Sequence, residues 1–320
     1  MKLPNKLLHY GKSILVPPLL LAALVSTVSA QPLARYSASL PPPLSTFPPE
    51  PVSATASVSP SAVGSCPTPS FEEQVVEIVN QERLANGALA PLKQETLLDN
   101  SSETHSANMA NRDFFAHCDP DTDTLPWDRM QAAGYSYNAA AENIAAGYST
   151  PASVMAGWMN SSGHRANILS TNYRELGVGY FFQSSDASNV RTDANGDCTP
   201  DGTTGALRHY WTQNFGRRNN VYPVIINREA IETTSRNVQL YLYGAGWASE
   251  MRVQNAGGAW SSWQAFSSTL AWQLGTGNGV KTISVELRNG ATVRSASDSI
   301  CLNETNPSGS GIYDDGFEDS

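Results

Sequence analysis

The sequence predicts an α+β domain followed by a small all-β antiparallel sandwich. Three observations predict it. Apolar residues recur at helical spacing between Ser70 and Trp158, and two strand-like runs follow at Glu175–Phe182 and His209–Phe215. From Asn219 onward only short strand patterns remain, separated by Gly, Asn and Ser clusters. A chain of 320 residues with 40% hydrophobic and 15% charged residues is too long for one ordinary domain of roughly 150 residues. It is also too apolar to be disordered throughout.

The N-terminus reads as an export signal over residues 1–30. Lys2, Lys6 and Lys12 give a positive start, Ile14–Val28 is apolar apart from Ser26 and Thr27, and Val28-Ser29-Ala30 is a small-residue cleavage signature. Pro17-Pro18 interrupts the apolar run, which is shorter than the roughly 20 residues that cross a bilayer, so no transmembrane span is expected. Residues 31–65 hold eight prolines and eight serines and predict an extended spacer.

Ser70-Phe71-Glu72-Glu73 is a capping-box pattern opening a first helix, with Gly87 suited to its stop. A second helix is expected from Glu95 to Phe115, with Leu98, His105 and Met109 on one side. Pro126 opens a third, ended by Gly134, and Thr150-Pro151 opens a fourth through Trp158. In the C-terminal region, strands are expected at Val221–Ile226, Val238–Tyr243, Val280–Leu287 and Ala291–Leu302, with clean alternation at Ile283, Val285 and Leu287. This gives a sandwich over 218–302, and then an acidic tail over 303–320 without Lys or Arg.

Charge excludes two partner classes. The chain carries 20 basic and 29 acidic residues, net −9, and loss of the three leader lysines takes this to −12. A phosphate-tracking nucleic-acid binder or a polybasic membrane-surface binder needs the opposite balance. Four cysteines, Cys66, Cys118, Cys198 and Cys301, with no Cys-x-x-Cys pair, predict disulfides in an exported chain; three pairings remain open.

His117, Glu142 and His164 stand out as donors. Two imidazoles and a carboxylate make an open-site ligand set for a divalent metal, zinc above all, or else a polar pocket able to move one proton. Glu142 is expected on a loop between two helices. His105 shares a helical side with Leu98 and Met109 and predicts a hydrogen-bonded core histidine. Asp193, Asn195, Asp197 and Asp201 place oxygens at near-alternate positions, as calcium requires, but Cys198 and Thr204 stand where an EF-hand wants Gly and Glu. A polar hairpin loop is the simpler reading. No Gly-x-Ser-x-Gly elbow accompanies Ser161 or Ser162.

Five segments occur in order: Phe114-Phe115-Ala116-His117, Ala141-Glu142-Asn143-Ile144-Ala145, Trp158 through Leu169 around Gly163-His164-Arg165, Gly177-Val178-Gly179-Tyr180, and Tyr210-Trp211-Thr212-Gln213-Asn214-Phe215-Gly216. Together they resemble the bacterial branch of the CAP superfamily, or SCP domain, whose relatives are the cysteine-rich secretory proteins, antigen 5 and plant pathogenesis-related proteins. The resemblance covers about residues 70–217 and implies a CAP-type α-β-α sandwich with an open cleft, within a domain spanning 66–217. The family is associated with lipid or sterol binding, divalent metals and extracellular signalling.

The resemblance places His117 and Glu142 on the first histidine and first glutamate of a four-residue cleft set. Ser161 falls on the second glutamate and Tyr210 on the second histidine, so half of that set is missing. His164 lies three residues beyond Ser161, one turn on if the helix continues, and is the expected replacement. Within this domain Cys118 is expected to pair with Cys198, leaving Cys66 and Cys301 to clamp the two folded regions. The C-terminal region resembles immunoglobulin-like or fibronectin-like modules. Its Trp247, Trp260, Trp263 and Trp272 are expected in the sandwich core, or exposed in a row to stack on sugars.

The expected function is a secreted, non-enzymatic protein binding a small-molecule, lipid-like or cell-surface ligand in the cleft. The alternatives are a metal-dependent extracellular hydrolase and a carbohydrate-binding adhesin acting through the C-terminal module.

Overall fold

The structure, a computed structural model, describes residues 66–304 and the backbone of two N-terminal dipeptides, Lys6–Leu7 (β1) and Ile14–Leu15 (β2). The expected cleavage signature, the 31–65 spacer and the tail beyond 304 lie outside the described residues.

Five helices cover 71–169. The first, α1 (Phe71–Ala85), begins with the full capping box: Glu73 N donates to Ser70 Oγ and Ser70 N donates to Glu73 Oε2. Glu95 caps α2 (Thr96–Asn111), whose end four residues short of the expected Phe115 follows from Asp113 at φ 56°. Phe114–Phe115 then form a short strand, β4. The remaining helices are α3 (Pro126–Ala132), α4 (Pro151–Asn160), capped by Thr150, and α5 (Ser162–Leu169).

The central sheet takes β3 (Lys93–Gln94), β5 (Ala139–Ala146), β6 (Glu175–Phe182) and β9 (His209–Arg217), in the order β5-β9-β6-β3. The dipeptides β1 and β2 pair with β5 on its outer edge. Side chains alternate across the sheet. One face carries Ala141, Ala145, Leu176, Val178, Trp211 and Phe215 into a core shared with α1, α4 and α5. The other face lies under α2, packed almost flush. A Cβ on Gly177 would stand 2.1 Å from the Leu98 carbonyl carbon, and one on Gly179 2.2 Å from Glu103 N. The two glycines of the Gly-Val-Gly motif are therefore the contact surface for α2. Three layers, helix–sheet–helix, result.

A small sheet, β4 with β7 (Val190–Thr192) and β8 (Gly202–Thr204), flanks this domain. Its hairpin loop is tied to the segment after His117 by Cys118–Cys198. The second disulfide joins Cys66 to Cys301.

The C-terminal region is all β. One sheet holds β10 (Val224–Ile226), β12 (Asn237–Leu242) and β15 (Thr269–Gln273). The other runs β11 (Glu232–Thr233), β17 (Thr292–Leu302), β16 (Gly279–Asn289), β13 (Glu250–Asn255) and β14 (Gln264–Ala265). Leu240 and Val224 from the first sheet and Val253, Ile283 and Val285 from the second share one core. The tryptophans divide: Trp247 and Trp272 pack against that core, whereas Trp260 and Trp263 lie along Arg252 and Arg288. Guanidiniums stand 4.7 and 4.1 Å from the Trp263 ring centroid, so that ring is already stacked within the chain.

The two regions are docked through buried charge. Asn227, Arg228 and Glu229 are three successive non-glycine residues at positive φ, 44°, 63° and 60°. Each costs on the order of 1–2 kcal/mol, so contacts across the junction must hold them there. Arg228 donates to the Asn80 and Leu89 carbonyls, and Tyr243 to that of Pro91. Lys93 Nζ reaches Glu229 at 2.9 Å and Asp298 at 2.5 Å. Burial, with Asp298 alongside, pushes the Glu229 carboxyl up to about 8, so one lysine balances two crowded acids. Lys93→Met should lower the unfolding free energy by about 3–5 kcal/mol, since it leaves two buried carboxyls without a cation. Urea denaturation of the full chain measures this, and a loss below about 1 kcal/mol would make the triad a marginal contributor.

Candidate functional site

Glu142 lies in the middle of β5, not on the expected inter-helix loop. β5 reads AAAENIAA, and its alanines lack the branched side chains that mark strands. Its strand state is imposed by pairing along its whole length with β9, in a register that sets Glu142 opposite Asn214 and Asn143 opposite Gln213. Alternation then separates neighbours: Glu142 faces the layer of α2 and α3, and Asn143 the layer of α1, α4 and α5.

His117 follows β4 and Ala116, and its Nδ1 stands 2.8 Å from Glu142 Oε1. Arg129, on α3, donates from Nη2 to Glu142 Oε2 at 2.7 Å and from Nη1 to the Thr124 carbonyl at 2.9 Å. His105, fully buried on α2, places Nε2 3.0 Å from the Ala116 carbonyl and so fixes the backbone entering His117. Burial pushes His105 down to about 3, and Arg129 pushes the same way, so it is a neutral Nε2–H donor at physiological pH.

Burial alone would raise the Glu142 carboxyl. Arg129, together with His105 and His117, outweighs burial and holds it down at about 2. An ionised carboxylate only accepts hydrogen bonds, so the proton between the two groups sits on His117 Nδ1. The other ring nitrogen, Nε2, is a lone-pair acceptor whenever the imidazole is neutral.

His164 lies buried on α5. Ser161 is extended, at φ −99° and ψ 122°, which ends α4 and makes it the N-cap of α5, so that His164 lies one turn on from it within the new helix. α5 meets β5 through Asn143, whose Nδ2 donates to the His164 carbonyl at 3.2 Å and whose Oδ1 accepts from Asn167 at 2.9 Å. Tyr210 shares the sheet face of Glu142, four residue pairs away along β5 and β9, and its hydroxyl donates to Asp186 at 3.0 Å.

The expected zinc ligands fit the ion poorly. Both Glu142 oxygens are committed, one of them to a guanidinium, and a cation placed there would face the charge of Arg129. Among the described residues no group of three or more His, Cys, Asp or Glu side chains is placed to hold a metal ion. The 193–201 loop, read as a polar hairpin loop with calcium as the alternative, turns its oxygens inward. Asp193 accepts from Gly196 N and Cys198 N at 2.7 and 2.9 Å, Asn195 from Asp197 N at 2.9 Å, Asp197 from Thr199 N at 2.9 Å and Asp201 from Ala194 N at 3.1 Å. These side chains build the hairpin loop.

The layered fold and the histidine–carboxylate pair point to a class: residues 76–215 match the family described as CAP, cysteine-rich secretory protein family. Among particular relatives, the uncharacterized protein YkwD of Bacillus subtilis (strain 168) is 42% identical over 126 residues, which are 39% of this chain and 46% of that one. The uncharacterized membrane protein YlbC of the same organism is 32% identical over 108 residues, 34% of this chain and 31% of that one. The chain thus spans less than half the length of these curated relatives. An extracellular protein containing a SCP domain from Bacillus anthracis str. Ames is 28% identical in its solved structure, with a TM-score of 0.36, covering 46% of this chain and 40% of that one. Among the described residues no helix is long and apolar enough to cross a membrane.

Arg129 carried no signal in the sequence. It is one arginine on a short helix, and only the fold brings it to Glu142. Glu142→Gln should strip Arg129 of its counter-charge and destabilise the protein by about 3–5 kcal/mol at pH 7. The Glu142 pKa is depressed on folding, so its contribution is present above the ordinary value of 4.5 and is lost as pH falls toward 2. Denaturation of wild type and variant across that window should show their difference shrinking with acid; a constant difference would contradict the ion pair.

Proposed function

We propose that the protein is an exported, non-catalytic CAP-domain protein whose cleft binds a small or lipid-like ligand through His117. Glu142 and Arg129 support that imidazole, fixing its tautomer and orientation. The observation that carries this reading is the commitment of both Glu142 oxygens, at 2.8 and 2.7 Å. A carboxylate so engaged orients its neighbour; it is poorly placed to bind a metal-activated water or to act as a general base. The imidazole then serves as a hydrogen-bonding head for a ligand's polar end. The C-terminal module is read as a support for the domain it is docked on, since two of its tryptophans pack against its core and the other two stack on arginines.

The competing class is a hydrolase using the same histidine–carboxylate pair. Native mass spectrometry of the mature protein with a long-chain fatty acid or a sterol tests the first, and an ester and peptide hydrolysis panel tests the second. Binding of at least one lipid probe is expected, weakened about tenfold in His117→Ala, as loss of a hydrogen bond to a charged or polar head predicts. Turnover that disappears in Glu142→Gln would overturn the non-catalytic reading, and no lipid retention in the wild type would overturn the ligand class.

A further inference from the structure

A concavity lies between α2, α3 and the 119–124 loop. Its volume is about 380 Å³, more than an isolated inorganic anion fills and within the lower range of small-molecule sites. Ser101, Thr104, Asn108 and Thr124 line it beside Ala132 and Ala133, so hydroxyls and amides are set among apolar surface with no aromatic ring. Two guanidiniums, Arg112 and Arg129, and a single carboxylate, Asp119, also line it. Arg112 is paired with Asp119 and Arg129 with Glu142 behind the wall, so an oxyanion here would draw on guanidiniums that already hold partners.

Arg129 is the buried part of this wall. Its side chain is 7% exposed, and with Nη2 on Glu142 and Nη1 on Thr124, its Nε has no hydrogen-bond partner among the described residues. Arg112, at the rim, is 38% exposed and bonds Asp119 at 2.8 Å. Guanidinium groups match carboxylate and phosphate oxygens two at a time, and hydroxyl and amide walls match the hydroxyls of a polyol. A ring-stacking ligand finds no face here.

We propose that this groove binds a small hydroxylated ligand bearing one oxyanion, an acidic sugar or a sugar phosphate in class, through Arg112 and Arg129. Because Arg129 also holds Glu142, an oxyanion in the groove competes for the guanidinium that keeps the cleft carboxylate ionised. Occupation of the groove is thereby felt at His117. The two sites share Arg129, and Arg112, which takes no part in the cleft, separates their tests.

Calorimetric titration of the mature protein with glucuronate, glucose 6-phosphate, glucose and inorganic phosphate separates the sources of the oxyanion. At least one of the two acidic sugars should bind with a Kd of about 1 mM or tighter, and glucose and inorganic phosphate at least tenfold more weakly. Which acid binds decides between carboxylate and phosphate. Arg112→Gln, which keeps a donor toward Asp119, should weaken that binding about tenfold, and Thr104→Val should weaken it to a lesser degree. His117→Ala should retain it. In the wild type, the bound acid should move the His117 ring signals in proton NMR. Equal affinity for glucose, unchanged affinity in Arg112→Gln, or no saturable binding by either acid would overturn the proposal; unmoved His117 signals would overturn the coupling to the cleft.

Discussion

A carboxylate placed in the middle of a buried strand must be neutralised where it stands, and in this domain Glu142 sets that demand. Its position follows from the full-length pairing of β5 with β9. Its ionisation follows from Arg129 and His117 at 2.7 and 2.8 Å. Several other features follow from these two facts. α3 must lie where its arginine reaches the sheet, the 119–124 loop must offer the Thr124 carbonyl to the same guanidinium, and His105 must stay neutral beside a cation. The Cys118–Cys198 bond then ties the residue next to His117 to the neighbouring hairpin loop. The cleft is thus an electrostatic arrangement that the layers around it are built to satisfy.

How much of this could be read from the sequence depended on whether the signal was local. Caps are local, and Ser70 and Thr150-Pro151 announced α1 and α4 to the residue. The alternation of Ile283, Val285 and Leu287 is local too, and it marked β16. β5 is invisible as a strand because AAAENIAA has no alternation and a single branched residue, Ile144; its partner makes it one. The strands β13 and β15 were missed for a related reason, since each is a short run whose polar residues face outward at sheet positions. A serine between two helical stretches reads as continuation, yet Ser161 is extended and starts a new helix, in whose first turn His164 lies.

The same electrostatic rule recurs at the junction with the C-terminal module. There one cation, Lys93, serves two carboxyl groups, whereas in the cleft one carboxylate, Glu142, serves a guanidinium and an imidazole. Each cluster spans segments remote in the chain, so each rewards only the completed tertiary structure. Neither offers much net stability over an apolar substitute, but breaking either leaves an uncompensated buried charge. Such clusters specify one arrangement against its alternatives. The left-handed turn at Asn227–Glu229 is tolerable for that reason: Arg228 and Glu229 lose their partners if the turn relaxes.

Arg129 ties the site to the rest of the domain in a way that neither histidine does. Its guanidinium has one nitrogen in the cleft, on Glu142, and another on Thr124 at the wall of the outer groove. A planar cation fixed between two compartments cannot respond to one without altering the other, because its hydrogen-bond directions are rigidly related. A lysine in its place would offer a point charge on a flexible stem and would satisfy Glu142 while leaving the carbonyl to water. The choice of arginine therefore links cleft and groove through geometry as well as charge. The positive charge beside the carboxylate is supplied by the chain, in a position where a second cation would be repelled.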